Sequence, residues 1–97
     1  MRKEIEQLLL KLGISPGLKG FYYLIRAIEI STKGKVDVCK GVYEVIANEC
    51  EETAQRVERN IRHAITKMDK DVYKEYGGRY YANSDVIFTL ALHFKEE

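Results

Sequence analysis

The segment TAQRVERNIRHAITK, from Thr53 to Lys67, concentrates side chains that donate hydrogen bonds. If the segment is an α-helix, each residue turns by about 100°, and its apolar side chains gather on one face. That face consists of Ala54, Val57, Ile61, Ala64, Ile65 and, just beyond the segment, Met68. The opposite face carries Gln55, Arg56, Arg59, Asn60, Arg62, His63, Thr66 and Lys67. Side chains of these types suit the phosphate oxygens and the base edges of duplex DNA.

Five of these outer side chains are candidate DNA contacts by their position. Arg56 lies on the first exposed turn, where a guanidinium can donate two hydrogen bonds to guanine O6 and N7. The alternative for Arg56 is a solvated surface arginine. Gln55, near the helix start, and Arg59 are each placed to reach a base edge or a phosphate. Arg62 and His63 lie a turn further on, where contact with the phosphate backbone is expected.

The sequence lacks the patterns of an enzyme or a metal protein. His63 has no second His, Cys or carboxylate near it at ligand spacing, and Cys39 and Cys50 form no CxxC pair. No nucleophile is paired with a base, and no glycine loop could cradle a phosphate. We therefore expect no catalytic residue, no metal ion and no cofactor, and we expect both cysteines to be reduced and buried.

Charge and length bound the class of protein. The 97 residues include 16 basic and 15 acidic side chains, so a nucleic-acid site must be local rather than a field over the whole surface. The 45% hydrophobic content suffices for one modest core, which predicts a single domain over residues 1–97. The apolar run near the N-terminus is interrupted by Lys11, and no stretch approaches the length of a membrane span. We expect a soluble, cytoplasmic protein with no membrane partner.

Helical periodicity predicts the elements that position the donor-rich segment. A first helix from Arg2 to Leu12 ends at Gly13, and a second starts at the capping pair Ser15 and Pro16 and ends near Gly34. Asp37 is the expected N-cap of a third helical stretch, which is either one helix or two short ones. The inner stripe of this stretch is Val38, Val42, Val45 and Ile46.

The third stretch and the donor-rich segment have the spacing of a helix-turn-helix, residues 42–68, with its recognition helix over residues 53–68. Small Ala47 permits close helix approach, and Val57 follows ten residues later to fix the second helix on the first. Thr53 is the expected N-cap of the recognition helix. The turn has Glu51 where many such motifs have glycine.

The C-terminal third is less regular. From Asp69 to Ala82 the periodicity dissolves into charged and tyrosine-rich sequence, which predicts an ordered loop or a short hairpin. Asn83 and Ser84 are the expected caps of a last helix, whose inner stripe is Val86, Ile87, Leu90, Ala91 and Phe94. The predicted fold is all-α, a compact bundle of about five to six helices that contains the helix-turn-helix.

The seven tyrosines allow two interpretations, a platform that stacks the bases of single strands and ordinary packing with an accessible hydroxyl. Tyr22, Tyr23 and Tyr43 fall in predicted helices and are expected to pack. For Tyr80 and Tyr81 both interpretations stay open.

Three stretches of the chain resemble, in order, the C-terminal effector domain of the sporulation stage-zero response regulator of endospore-forming bacteria. They are GLKGFYYLIRAIEI, YEVIANECEETAQRVERNIRHAI and NSDVIFTLA. In that family a KGYxYLxxAI helix precedes the helix-turn-helix, and the recognition helix carries RVERxIRHAI. The latter is matched by Arg56 to Ile65, with Asn60 at the variable position.

The resemblance implies a multi-helix domain that binds short boxes of double-stranded DNA and activates or represses transcription. It implies self-association on tandem boxes and contact with RNA polymerase as further interactions. It also implies that Glu58 accepts a hydrogen bond from a cytosine amino group. On geometry Glu58 lies at the border of the buried arc and equally suits an i, i+4 ion pair with Arg62, so both interpretations stay open.

Two features depart from the family. The phosphoacceptor receiver domain is not part of these residues, so regulation by phosphorylation is not carried over, and KEYGGRYYA replaces the usual, longer segment before Asn83. The alternative function is a protein-interaction or adaptor domain that keeps the fold without DNA affinity. The near-neutral charge and the acidic turn of Glu49, Glu51 and Glu52 favour that alternative.

Overall fold

The computed structural model describes residues 1–34 and 41–94, which form six helices and no strand. In chain order these are α1 Arg2–Lys11, α2 Lys19–Thr32, α3 Gly41–Cys50, α4 Ala54–Thr66, α5 Lys70–Glu75 and α6 Asn83–Ala91. The predicted all-α bundle is confirmed. Within the described ranges, none of the helices has the length and apolar character needed to cross a bilayer.

Helix α2 is the centre of the bundle, and it packs most extensively against α4 and α6. Its residues Leu24, Ala27 and Ile28 are fully buried, at the i, i+3, i+4 spacing that places side chains on one face. Val57 and Ile61 of α4 are also fully buried, as are the inner residues of α6. Burial of one large aliphatic side chain contributes about 1.5–3 kcal/mol, so this shared core fixes the position of α4.

The start of α2 differs from the prediction. The Ser15 hydroxyl accepts a hydrogen bond from the Gly17 amide at 3.2 Å, a local turn, and α2 begins only at Lys19. Its N-cap is Leu18, which forms no side-chain cap bond. The Ser-Pro signal therefore marks a turn before the helix. The stop of α1 is as predicted, since Gly13 adopts a φ of 81° just after it.

The prediction of a loop or hairpin over residues 69–82 is wrong in its first half. Asp69 Oδ1 accepts hydrogen bonds from the amides of Asp71 and Val72, at 2.9 and 3.1 Å, and caps the short helix α5. The buried Tyr73 attaches α5 to the core. Six residues are too few to display helical periodicity, so the carboxylate cap was the only local signal.

The expected caps of α6 are also wrong, whereas its inner stripe is confirmed. The N-cap is Ala82, with no side-chain cap bond, and Asn83 is already inside the helix. Asn83 is only 8% exposed, and its Nδ2 donates to the main-chain carbonyl of Glu58 at 3.0 Å. The residues Val86, Ile87, Leu90 and Ala91 are buried, and Phe94 packs against them half-buried.

In α3, the predicted inner stripe is confirmed for the residues that the structure describes. Val42 and Ile46 are fully buried and Val45 is half-buried, while Asp37, Val38 and Cys39 lie outside the described residues. Cys50 is a free thiol, half-buried rather than buried as expected.

An ion-pair network links the first three helices. The Arg26 guanidinium of α2 donates to Glu49 of α3, at 2.8 and 2.5 Å, and to Glu29 one turn along α2, at 2.8 Å. Arg2 of α1 donates to both oxygens of Glu29, at 2.9 and 2.7 Å. These hydrogen bonds, from Arg2 to Glu29 and from Arg26 to Glu49, lower the pKa of both carboxyl groups.

This network predicts a pH-dependent effect of Arg26→Met. A carboxyl whose pKa is lowered by folding stabilises the native state above its unfolded pKa of about 4.5, and this contribution is lost as pH falls through the folded value. We expect the variant to be less stable by about 1–2 kcal/mol at pH 7, and the difference to shrink between pH 4.5 and pH 3. Urea melts at pH 7, 5 and 3 measure it. An equal difference at pH 3 would assign the effect to packing of the Arg26 stem, and exposed Lys67→Met is the control.

Candidate nucleic-acid interface

The turn between α3 and α4 has the hydrogen bonds of a helix-turn-helix connection. The Glu52 amide donates to the carbonyl of Ala47 at 2.9 Å, the six-to-one bond of a Schellman motif that ends α3. Glu51, at the position before it, has a φ of 53°, in the left-handed region where glycine is favoured. The Thr53 hydroxyl then accepts from the Arg56 amide at 3.2 Å, so Thr53 caps α4 as predicted.

The left-handed conformation of Glu51 yields a stability prediction. A side chain in this region costs about 1–2 kcal/mol, part of which is offset because glycine loses more entropy on folding. We expect Glu51→Gly to stabilise the chain by about 0.5–1 kcal/mol in thermal or urea unfolding. Glu51→Ala removes the same charge and keeps the strain, so it should melt close to the wild type. If both variants gain equally, the charge and not the backbone is responsible.

Helix α4 separates its two faces largely as predicted. Val57, Ile61, Ala64, Ile65 and Met68 are buried, and Ala54 is half-buried at the start. The exposed side chains are Gln55, Arg56, Arg59, Arg62, His63, Thr66 and Lys67. Arg56 and Arg62 are 67% and 62% exposed, so a partner can approach both guanidinium groups.

Asn60 is the exception on the outer face. It is half-buried, and its Nδ2 donates to the Arg56 carbonyl at 2.8 Å, one turn earlier. Its own carbonyl lies against Gly20 of α2, where an added Cβ would come within 2.1 Å of that oxygen. Helices α2 and α4 therefore cross closely at this point, a contact that the residue spacing within α4 does not predict.

Two acidic residues pair with arginines of this face. Arg62 Nη2 contacts both carboxylate oxygens of Glu58, so the ion-pair interpretation of Glu58 describes the free chain. Arg56 Nη1 lies 3.7 Å from Glu52 Oε1. Exposed pairs of this kind contribute at most about 1 kcal/mol, so exchanging a carboxylate for a DNA oxygen costs little. Over residues 1–34 and 41–94, Arg59 and His63 have no side-chain partner.

A groove runs along the same face of α4, with a volume of about 510 Å³. One wall is formed by Ala54, Gln55, Glu58, Arg59 and Arg62, and the other by Tyr43 of α3. Tyr43 packs half-buried against the core, as predicted, and it also lines this groove opposite α4, which no local pattern of the sequence indicates. The groove therefore joins four candidate DNA contacts, Gln55, Glu58, Arg59 and Arg62, to one residue that was not among the predicted contacts.

The other tyrosines divide between core and surface. Tyr23 is buried as expected, but Tyr22 is wrongly predicted to pack, since it is exposed beneath the Arg2 guanidinium, 5.7 Å from its ring centre. Tyr80 and Tyr81 are both exposed, and the Tyr81 ring lies tilted by 49° against the ring of Tyr73, with 5.7 Å between the ring centres. No group of His, Cys, Asp and Glu side chains in the described ranges could hold a metal ion.

Comparison with known families agrees with the geometry of α3 and α4. Residues 5–92 match the family model described as sporulation initiation factor Spo0A C terminal, which covers all six helices except the first few residues of α1. That family consists of DNA-binding effector domains that regulate transcription, not of enzymes. With the match extending over nearly the whole chain, the chain belongs to the Spo0A C-terminal family.

Proposed function

We propose that the chain regulates transcription by binding duplex DNA in a sequence-specific manner, with α4 in the major groove. The observation that carries the proposal is the exposed donor face of α4. This helix is capped at Thr53, and its opposite face is buried in the bundle core. A major groove is about 12 Å wide and accepts one α-helix, so this face would meet base edges directly. The action would take place in the cytoplasm.

The residues of the face take different roles in this proposal. Arg56 reads a guanine and Gln55 reads a base edge or a phosphate at the N-terminal end of α4, which recognition helices present to the bases. Arg59 reaches a base or a phosphate, since its side chain has no partner among the described residues and is available. Arg62 and His63 hold phosphates, and Glu58 either accepts from a cytosine or orients Arg62.

In the structure, the acidic residues of the turn give less support to the adaptor alternative than they do in the sequence alone. Glu49 is engaged with Arg26, and Glu52 lies beside Arg56. Within the described residues only Glu51 of this group has no ion-pair partner. The acidic residues of the turn therefore serve internal contacts more than they form a free acidic surface.

Selection from a randomised duplex library at two salt concentrations tests the proposal. Enrichment of a short box, with affinity that falls as salt rises, is the expected result. A library of paired boxes at varied spacing would show whether two copies of the chain bind in tandem. Pull-down of RNA polymerase on the selected duplex tests whether the bound chain contacts the polymerase. Absence of duplex binding at low salt would favour the adaptor function.

Arg56→Ala tests the assignment of base contact. We expect specific binding to weaken by about 1–3 kcal/mol and preference to relax at one base pair, because a bidentate guanine contact is lost. Fluorescence anisotropy on the selected box and on its single-base variants measures both effects. Arg62→Ala should instead weaken binding to every sequence and reduce the salt slope by about one phosphate contact. If Arg56→Ala lowers all affinities equally, Arg56 contacts phosphate; Lys3→Ala on α1 is the control.

A further inference from the structure

A second groove, of about 340 Å³, lies on the other side of the ion pair between Glu58 and Arg62. One wall is the middle of α4, and the opposite wall is formed by Tyr81 to Ser84, which are the end of the preceding loop and the start of α6. Tyr43, Glu58 and Arg62 line this groove and the first one, so the two grooves adjoin at these residues, and together they are called the trough. The lining of the trough includes Gln55 in the first groove and Ser84 in the second.

The far wall of the trough is held at a fixed distance from α4. The Asn83 amide nitrogen donates to the carbonyl of Glu58, in the middle of α4, and Asn83 is almost fully buried. On the other side, Tyr81 packs against the ring of buried Tyr73. Tyr81 and Ser84 are thus presented beside the outer face of α4 by the core itself.

The chemistry of the far wall suits an anionic strand. Tyr81 and Ser84 each carry a hydroxyl, and neither hydroxyl has a hydrogen-bond partner in residues 1–34 and 41–94. The ammonium group of Lys70 lies 5.0 Å from the centre of the Tyr81 ring, so a cation stands next to this wall. The carboxylate of Glu58, the acidic residue of the trough, is paired with Nη2 of Arg62, and the other N–H groups of this guanidinium remain able to donate to a phosphate while the pair is kept.

We propose that this trough seats one sugar-phosphate strand of the bound duplex, with the Tyr81 and Ser84 hydroxyls donating to its phosphates. The inference rests on the proposed insertion of α4 into the major groove. A helix in that groove has a phosphate strand on each side, and half or more of the hydrogen bonds in such complexes go to phosphate and sugar. The end of the tyrosine-rich segment and the first turn of α6 thereby become a positioning element that carries no base information.

Tyr81→Phe and Ser84→Ala test the inference in the whole chain, on the duplex selected from the library and on unrelated duplexes. Each variant should raise Kd about three- to tenfold on all sequences and leave the ratio between selected and unrelated duplexes unchanged. The salt slope should also stay unchanged, because a neutral hydroxyl releases no counterion, whereas Lys70→Gln should reduce it by about 0.9. Tyr80→Phe is the matched control, since Tyr80 is the exposed neighbour that does not line the trough.

Single methylphosphonate substitutions in the selected duplex separate a phosphate contact from a change in folding. At the phosphate that Tyr81 contacts, the substitution should weaken the wild type and have little further effect on Tyr81→Phe. Wild-type affinity in both hydroxyl variants, beside a wild type that selects a box, would overturn the trough and leave the proposed function standing. Failure of the wild type to bind any duplex would overturn the proposed function and the trough with it.

Discussion

Replacement of Gly20 by alanine is expected to destabilise the chain by about 3 kcal/mol or more. The added Cβ would lie 2.1 Å from the Asn60 carbonyl oxygen and 2.8 Å from the Ala64 Cβ, both on α4. Neither distance is sterically permitted, and the first involves main chain that no rotamer change can move. Helices α2 and α4 would have to separate, which loses packing in the most extensive helix contact of the bundle.

The expected sign is opposite to that of intrinsic helix propensity. In an open helix, alanine is more favourable than glycine by about 1 kcal/mol, so a mild gain would be predicted from sequence alone. Overpacking a close-packed interface typically costs about 1–3 kcal/mol. Because the added Cβ of Gly20→Ala would contact main chain, the cost of this substitution is expected at or above the upper end of that range. The clash therefore outweighs propensity.

Urea unfolding of Gly20→Ala measures this effect, and Gly17→Ala is the matched control. Among the described residues, a Cβ at Gly17 would meet only the Ser15 hydroxyl, at an ordinary 3.5 Å. We expect Gly17→Ala to unfold within about 0.5 kcal/mol of the wild type. A Gly20→Ala variant as stable as Gly17→Ala would show that α2 and α4 do not cross at this point. DNA binding should fall with Gly20→Ala at temperatures where it stays folded, since α4 is displaced from the rest of the interface.

The two faces of α4 could be predicted because the helix is long and its apolar residues recur with one period. Thirteen residues define an inner stripe from Val57 to Ile65, and the Thr53 cap has a direct sequence signature. Helix α5 could not be found in this way, since six residues span less than two turns. Its N-cap, Asp69, is followed closely by other charged residues, and charged residues are equally common in loops, so the cap could not be recognised as a helix start.

Other features depend on contacts between distant segments and have no local signature. Gly20 occurs in a helix of ordinary apolar periodicity, and only the position of Asn60 shows that no larger residue fits there. Tyr81 and Tyr80 are adjacent and identical in type, yet one lines the trough and the other does not. Such distinctions arise when the bundle forms, so residue type and spacing cannot supply them.

Gly78→Ala is expected to have the second large effect, because its Cβ would enter the ring of Tyr73. The distances to ring atoms Cδ2, Cε2 and Cγ would be 2.3, 2.3 and 2.4 Å. Tyr73 is fully buried, which raises the pKa of its phenol, and its hydroxyl donates to the Tyr80 carbonyl at 2.9 Å. The ring cannot move without losing that bond and disturbing the core. We expect a loss of about 2–3 kcal/mol in stability.

The adjacent Gly77 separates steric contact from backbone strain in the same segment. Gly77 has a φ of 88°, and, apart from its own atoms and those of its chain neighbours, no atom of residues 1–34 and 41–94 lies within 4 Å of its Cβ position, so Gly77→Ala should cost about 1 kcal/mol through strain alone. A smaller side chain beneath Gly78 should relieve only the steric effect. In a double-mutant cycle with Tyr73→Leu, Gly78→Ala should therefore lose most of its cost, while Gly77→Ala should remain additive. Additivity of Tyr73→Leu with Gly78→Ala would show that ring and glycine are not in contact, and that Tyr73 does not hold the segment leading to Tyr81.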